Sequence, residues 1–279
     1  MTTTIRCYII QPLVVTHYNL RLYSNIPANS IIVYIFEKKM KITDIHIHII
    51  PGVDDGARNE ESVEKMLDIA YADGIRRMIC TPHFHGGYVQ TSPDEIVNSL
   101  DKVKAIANAK YPDMEFYAGN EIYYFENMTE WLDAGKLLTM AGSDYVLVEF
   151  SPAVTLREID SAVRHVLQAG YRPILAHINR YVQLVGNINH VYELIDNGAY
   201  IQINTEAIRG DMGFKVKQFT KKLLKTGSVH FIASDAHSSR RRRPELSEEV
   251  RYIEKKYGAE TMLRIFDENP RKVINNEII

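Results

Sequence analysis

From Met40 onward, short runs rich in β-branched and aromatic residues alternate with longer segments whose apolar residues recur every three or four positions. The first run, "KITDIHIH" from Lys41, has a period of two. Ile45, Ile47 and Ile49 take one face, and Asp44, His46 and His48 take the other. "EESVEKMLDIAYADG" follows as a helix, with Val63, Met66, Leu67 and Ala70 as its apolar stripe and Gly74 past its end. "RRMICTPH" reads as the second strand. A helix is predicted over 93–109, opened by Pro93 and capped by Ser92. "MEFYAGNEIYY" and "YVLVEF" are the third and fourth strands, and "TLREIDSAVRHVLQAG" is a helix ending on glycine. "RPILAH", "YIQINTEA" and "HFIASDAH" complete the strands, and the tail from Pro244 is helical in pieces.

That makes about seven βα units joined by short links. Alternation at this spacing predicts a parallel sheet, and so many units predict closure into a barrel. An open doubly wound sheet is the competing architecture, but no GxGxxG turn recommends it.

The first 39 residues stand apart, with no clear helical or strand period. The expectation is a barrel domain spanning 40–279 preceded by an N-terminal extension over 1–39, read as a start assigned too early with Met40 as the true first residue; a genuine extension that packs on the barrel is the alternative.

Bulk composition narrows the function classes. A 46% hydrophobic, 24% charged chain of 279 residues can bury a sizeable core. A net charge of −2 argues against nucleic acid as a partner. Only Cys7 and Cys80 are present, which fits a reducing cytoplasm rather than a disulfide framework. No apolar run approaches the roughly 20 residues of a spanning helix, and no signal peptide is visible, so neither stable membrane insertion nor export is expected.

The chemistry lies at the strand ends. Strand one supplies His46, His48 and, in its loop, Asp55. The later strands supply His83, Glu121, Glu149, His177, Asp235 and His237. In a barrel all these ends share one face, where active sites are built. A single strand-end histidine is ordinarily a hydrogen-bonded polar residue, and an Asp-x-His is often an Asx turn. Coincidence at six strand ends is the costlier explanation. Imidazoles and carboxylates without thiolate suit Mn²⁺, Fe²⁺ or Zn²⁺. Nine candidate ligands exceed what one ion uses, so two or three ions are expected, with a carboxylate such as Glu149 as the natural bridge. Multinuclear sites of this kind serve phosphate-ester hydrolysis above all.

Phosphate also calls for arginine. Arg180 lies just past His177, and Arg240 to Arg243 follow His237. A run of four arginines is commonly a solvated face, but its place beside a ligand points to a phosphate contact, with Arg242 preferred. A cysteine-phosphatase loop fails, because Gly86 stands where Cys80 would need its arginine. A G-x-S-x-G elbow is absent as well.

"DIHIHIIPGVDDGA", "CTPHFHGGY", "GNEIYY", "VLVEFS", "ILAHINR" and "FIASDAH", in this order, resemble the polymerase-and-histidinol-phosphatase (PHP) superfamily. The resemblance is nearer still to its bacterial manganese-dependent tyrosine-protein phosphatases of capsule and exopolysaccharide loci. It runs from about Met40 to "NPRKVINNE". It implies a PHP-type distorted (β/α)7 TIM-like barrel and a three-metal centre held by His46, His48, Asp55, His83, Glu121, Glu149, His177, Asp235 and His237. Arg180 and Arg242 would hold the phosphate, and the phosphorus would be attacked in line by metal-activated hydroxide. The implied substrate is a tyrosine-phosphorylated protein, the C-terminal tail of a bacterial tyrosine kinase that controls polysaccharide export. "HINR" departs from the family's usual "HPER", and His85 stays outside the ligand set. A small-molecule phosphatase of the histidinol-phosphate type is the main alternative; a barrel that has lost catalysis and a proofreading exonuclease are weaker ones.

Overall fold

A computed structural model describes residues 40–279. The expectation about a start at Met40 concerns 1–39, which lie outside the described residues.

Among the described residues, nine strands line the ring in two paired sets: β1 (Ile42–Ile47), β2 (Ile75–Cys80), β3 (His83–Phe84), β4 (Glu115–Ala118), β5 (Glu121–Tyr123), β6 (Tyr145–Glu149), β7 (Arg172–Leu175), β8 (Tyr200–Asn204) and β9 (Phe231–Ala233). Every paired neighbour is parallel, in the orders β1-β2-β4 and β3-β5-β6-β7-β8-β9. The second and third predicted strands are thus each split in two. β2 hands over to β3 across Thr81–Pro82, and β4 to β5 across Gly119–Asn120, so the ring keeps the seven positions expected of it. The break in the third strand has a local cause. Asn120 uses its side chain to donate to the Pro82 carbonyl (3.1 Å) and to accept from the Leu138 amide (2.9 Å). A residue bonded sideways in this way leaves the ladder.

The ring closes thinly. β9 meets β1 through one parallel bridge, Ile47 to Ala236, with His48 N donating to Ala236 O and Asp235 N donating to His46 O, both at 2.9 Å. The seam therefore lies within the stretch that carries four of the ligand-type residues.

The helix after Ser92 has its expected cap, and two others are capped as well. Glu60–Ala72 starts at Asn59 and buries Val63, Met66, Leu67 and Ala70. Pro93–Lys110 carries a capping box between Ser92 and Glu95, and Leu156–Gln168 carries another between Thr155 and Glu158. Ile45, Ile47 and Ile49 are buried, but so are Asp44, His46 and His48, because β1 is covered on both faces. Among the described residues, no helix is long and apolar enough to cross a membrane.

Candidate metal centre

β1 brings its two imidazoles to one point, with the Nε2 atoms of His46 and His48 3.2 Å apart. From the facing strands, Glu121 Oε2 lies 3.2 Å from His46 Nε2 and 3.4 Å from His48 Nε2. Asp235 Oδ1 lies 3.4 and 3.5 Å from the same two nitrogens. All four side chains are buried, and their ligand atoms fall within 4.8 Å of one another.

Two further groups adjoin this one. His48, Asp55, His83 and His237 form the first, where Asp55 Oδ1 stands 3.5 Å from His83 Nε2 and 3.4 Å from His237 Nε2. His83, Glu121 and Glu149 form the second, and His177 joins it with Nε2 2.7 Å from Glu121 Oε1 and 3.5 Å from Glu149 Oε1. The structure thus brings together all nine side chains nominated from the sequence. It differs on the bridge. Glu121, fully buried on β5, is the carboxylate common to two groups, whereas Glu149 stands at the edge with 18% of its side chain exposed.

The arginines meet the same carboxylate. Arg180 Nη2 lies 2.8 Å from Asp235 Oδ2, and Arg242 Nη2 pairs with Asp235 Oδ1. Both guanidinium side chains remain about a quarter exposed, at 25% and 29%. Their free edges therefore face the opening, where an anion would arrive. His177, Asp235 and Arg242 all hold positive φ, at 30°, 52° and 47°. Such backbone in residues with side chains is uncommon and collects at functional sites.

These residues fit divalent cations. Glu121 Oε2 and His237 Nε2 are buried without a hydrogen-bond partner among the described residues, and Asp235 Oδ1 meets only the Arg242 guanidinium and the imidazoles of the cluster. Orphaned ligand atoms in a dry cluster ask for a charge between them. Burial, then the Glu121 charge beside it, pushes Glu149 up to about 7, as expected of crowded carboxylates lacking a cation. Burial would raise Glu121 and Asp235 too, but the facing histidines, with Arg242 beside Asp235, together outweigh it and hold both well below the usual range. Burial lowers His177 and His237, favouring the neutral form that ligates.

Around the ligands stands a layer the sequence reading missed. Asp54 is buried; its Oδ2 accepts from His48 Nδ1 at 2.6 Å and from the His83 amide at 3.0 Å. Gln202 Oε1 accepts from the His177 amide and lies 3.4 Å from His46 Nδ1. Asn204 donates to Asp235 Oδ2 at 2.8 Å, and Ser234 donates twice to Asp44. The period-two pair Gln202 and Asn204 in "QIN", and the first aspartate of "DDG", were the available signals.

With this geometry in view, likeness to known proteins carries weight. Residues 42–275 match the family described as capsular polysaccharide synthesis, CpsB/CapC. The tyrosine-protein phosphatase CpsB of Streptococcus pneumoniae is 36% identical over 241 residues, covering 85% of this chain and 99% of that protein. The tyrosine-protein phosphatase YwqE of Bacillus subtilis is 30% identical over 237 residues, covering 85% and 92%. Crystal structures of YwqE and CpsB, described as metal-dependent tyrosine phosphatases, include a chain that superposes with a TM-score of 0.79 at 28% identity, covering 85% of this chain and 96% of that one. A histidinol phosphate phosphatase from Lactococcus lactis shares the fold at a TM-score of 0.54 and 19% identity, over 79% of this chain and 95% of that one. This chain belongs to the CpsB/CapC family.

Proposed function

We propose that this chain is a metal-dependent protein-tyrosine phosphatase, with residues 40–279 as its catalytic unit. The observation that carries the reading is that two arginines meet on Asp235, a member of one of three adjoining ligand groups. Its relatives' names and the metal dependence of the matched structures support the same reaction. The nine ligand-type residues would hold two or three ions. Oxygen and imidazole donors without thiolate favour Mn²⁺, with Fe²⁺ or Zn²⁺ as alternatives. The ions, when bound, activate water and neutralise charge on the phosphoryl oxygens.

The chain's own residues do the rest. Asp54 accepts a hydrogen bond from His48 Nδ1–H and so turns Nε2 to the cluster. Asp235 anchors both arginines, whose remaining N–H groups receive phosphoryl oxygens in a fixed fork. A phenolate, with a parent pKa of about 10, leaves far more readily than an alkoxide, so phosphotyrosine suits a site with modest acid assistance. The fitting substrate is a phosphotyrosine tail, that of a bacterial tyrosine kinase controlling capsule or exopolysaccharide synthesis, and the setting is the cytoplasm.

The test is phosphate release from a phosphotyrosine peptide by chelator-stripped protein, with and without Mn²⁺, with histidinol phosphate in parallel. Metal-dependent release from the peptide is expected. Activity on histidinol phosphate alone would overturn the substrate and leave a small-molecule phosphatase; inactivity on both would overturn the reading.

A further inference from the structure

The strands that carry His83 and Glu121 continue outward by one more inward-facing pair. β3 and β5 are in register, His83 opposite Glu121 and Phe84 opposite Ile122. Side chains alternate, so the first pair faces the candidate metals. The second turns away, and Phe84 packs on Phe125 and Trp131 with ring centres 5.8 and 5.6 Å apart. His85 and Tyr123 come next and return to the inner side. Their rings meet with centres 4.3 Å apart and planes at 40°. On its other edge Tyr123 is in register with Glu149, which fixes its height at the outer rim of the ligand cluster.

A short turn adds a third ring. His85 and Val89 exchange backbone hydrogen bonds of 2.8 and 3.0 Å, and Tyr88 N donates to His85 O at 2.8 Å. This places the Tyr88 ring edge-on to His85, with centres 4.8 Å apart, while Tyr88 stays 87% exposed. His85 Nδ1 is buried without a hydrogen-bond partner among the described residues. An exposed aromatic ring leaning on a half-buried imidazole forms an open apolar wall two residues along the strands from His83 and Glu121. Packing does not require it, because the two glycines of the turn have nothing within 4 Å of where a Cβ would stand.

We infer that His85, Tyr88 and Tyr123 form the wall against which the ring of an aryl phosphate lies, and so select aryl over alkyl esters. The inference rests on the phosphatase reading above and names its substrate class. In an aryl phosphate the ring follows phosphorus by one bridging oxygen. With phosphorus at the ligands, the ring reaches the next rung of β3 and β5, about 6.6 Å further along the strands. Offset or edge-to-face contact with such rings adds affinity that an alkyl group does not receive.

The test uses full-length, Mn²⁺-loaded protein and two non-hydrolysable probes, phenylphosphonate and methylphosphonate, with dissociation constants measured by calorimetry. The wild type binds the phenyl compound more tightly. In Tyr123→Ala that preference falls about tenfold, and in Tyr123→Phe it is kept, since the ring and not the hydroxyl matters. Tyr88→Ala lowers the preference in the same direction. Equal weakening of both probes in Tyr123→Ala would mark a structural role and overturn the inference. So would a wild type without preference, or a preference unchanged in both alanine variants. Because binding is read without turnover, a protein that hydrolyses only histidinol phosphate would refute the proposed reaction while the wall is judged separately.

Discussion

Asp54 Oδ2 sits 2.6 Å from His48 Nδ1, and the imidazole turns its other nitrogen toward Glu121 and Asp235. Burial would raise the Asp54 carboxyl, but the facing His48 charge holds it below its ordinary range. His48 is in turn pushed well above its ordinary value: burial would lower it, but the Asp54 charge and the hydrogen bonds to Asp235, Asp54 and Glu121 together outweigh burial. A carboxylate behind a ligating histidine fixes tautomer and ring orientation, and losing it ordinarily costs roughly 10–100-fold in metal affinity. Asp54→Asn is therefore expected to fold, to bind Mn²⁺ roughly 10–100-fold more weakly, and to regain activity at high Mn²⁺. Metal content after dialysis and activity against Mn²⁺ concentration read both parts. Wild-type metal content in the variant would remove Asp54 from this role.

Gly56 packs against the same histidine from below. A Cβ there would lie 2.1 Å from the His48 carbonyl oxygen and 2.6 Å from its Cβ. The clash is with backbone, so it cannot be relieved by a rotamer. Gly56→Ala should lose about 1–3 kcal/mol of stability and disturb metal binding as β1 shifts. Urea unfolding of metal-free protein and Mn²⁺ titration check the two effects. A variant as stable as wild type would show that the 54–57 turn moves freely.

Metal removal should be visible in stability as well as activity. The clustered carboxylates and orphaned nitrogens gain a counter-charge on metal binding, and an ion present at 100 times its dissociation constant stabilises by about 2.7 kcal/mol. Thermal melting of chelator-treated protein should therefore rise on adding Mn²⁺. Because Glu149 is pushed up to about 7, protons compete for the site below neutral pH, and the rise should shrink at pH 5.5. An identical melting temperature with and without Mn²⁺ would contradict the fit.

His230 offers a pH test away from the candidate metals. The Ile201 amide donates to its Nδ1 at 3.0 Å, and burial, aided by Arg264, pushes its pKa down to about 4. Unfolded histidine titrates near 6.5, so between about 6.5 and 4 the unfolded chain binds more protons and native stability falls with pH. His230→Gln removes this titration. The variant should be less stable than wild type at pH 7, with the gap narrowing by about 2 kcal/mol at pH 4.5. Urea midpoints across this range decide it, and a constant gap would show that His230 does not protonate on unfolding.

What could be read directly from the sequence was periodic or chemical. Strand and helix alternation, the capping residue Ser92, and the buried stripe of Glu60–Ala72 depend on neighbours a few residues away. The nine ligand-type residues were legible because a parallel barrel sends every strand end to one face. The layer behind them was not. Asp54, Gln202 and Asn204 are ordinary polar residues until folding places them against His48, His177 and Asp235. Glu121 rather than Glu149 is the shared carboxylate because Glu121 is in register with Leu147, two residues deeper along the strands than Glu149, a difference of depth that no spacing along the chain records. The break at Gly119–Asn120 and the thin seam between β9 and β1 likewise arise from partners distant in sequence. Composition and period thus determined the elements and the chemical character of their ends. Only the closed ring decided which side chains face one another, because those contacts join residues up to 190 positions apart.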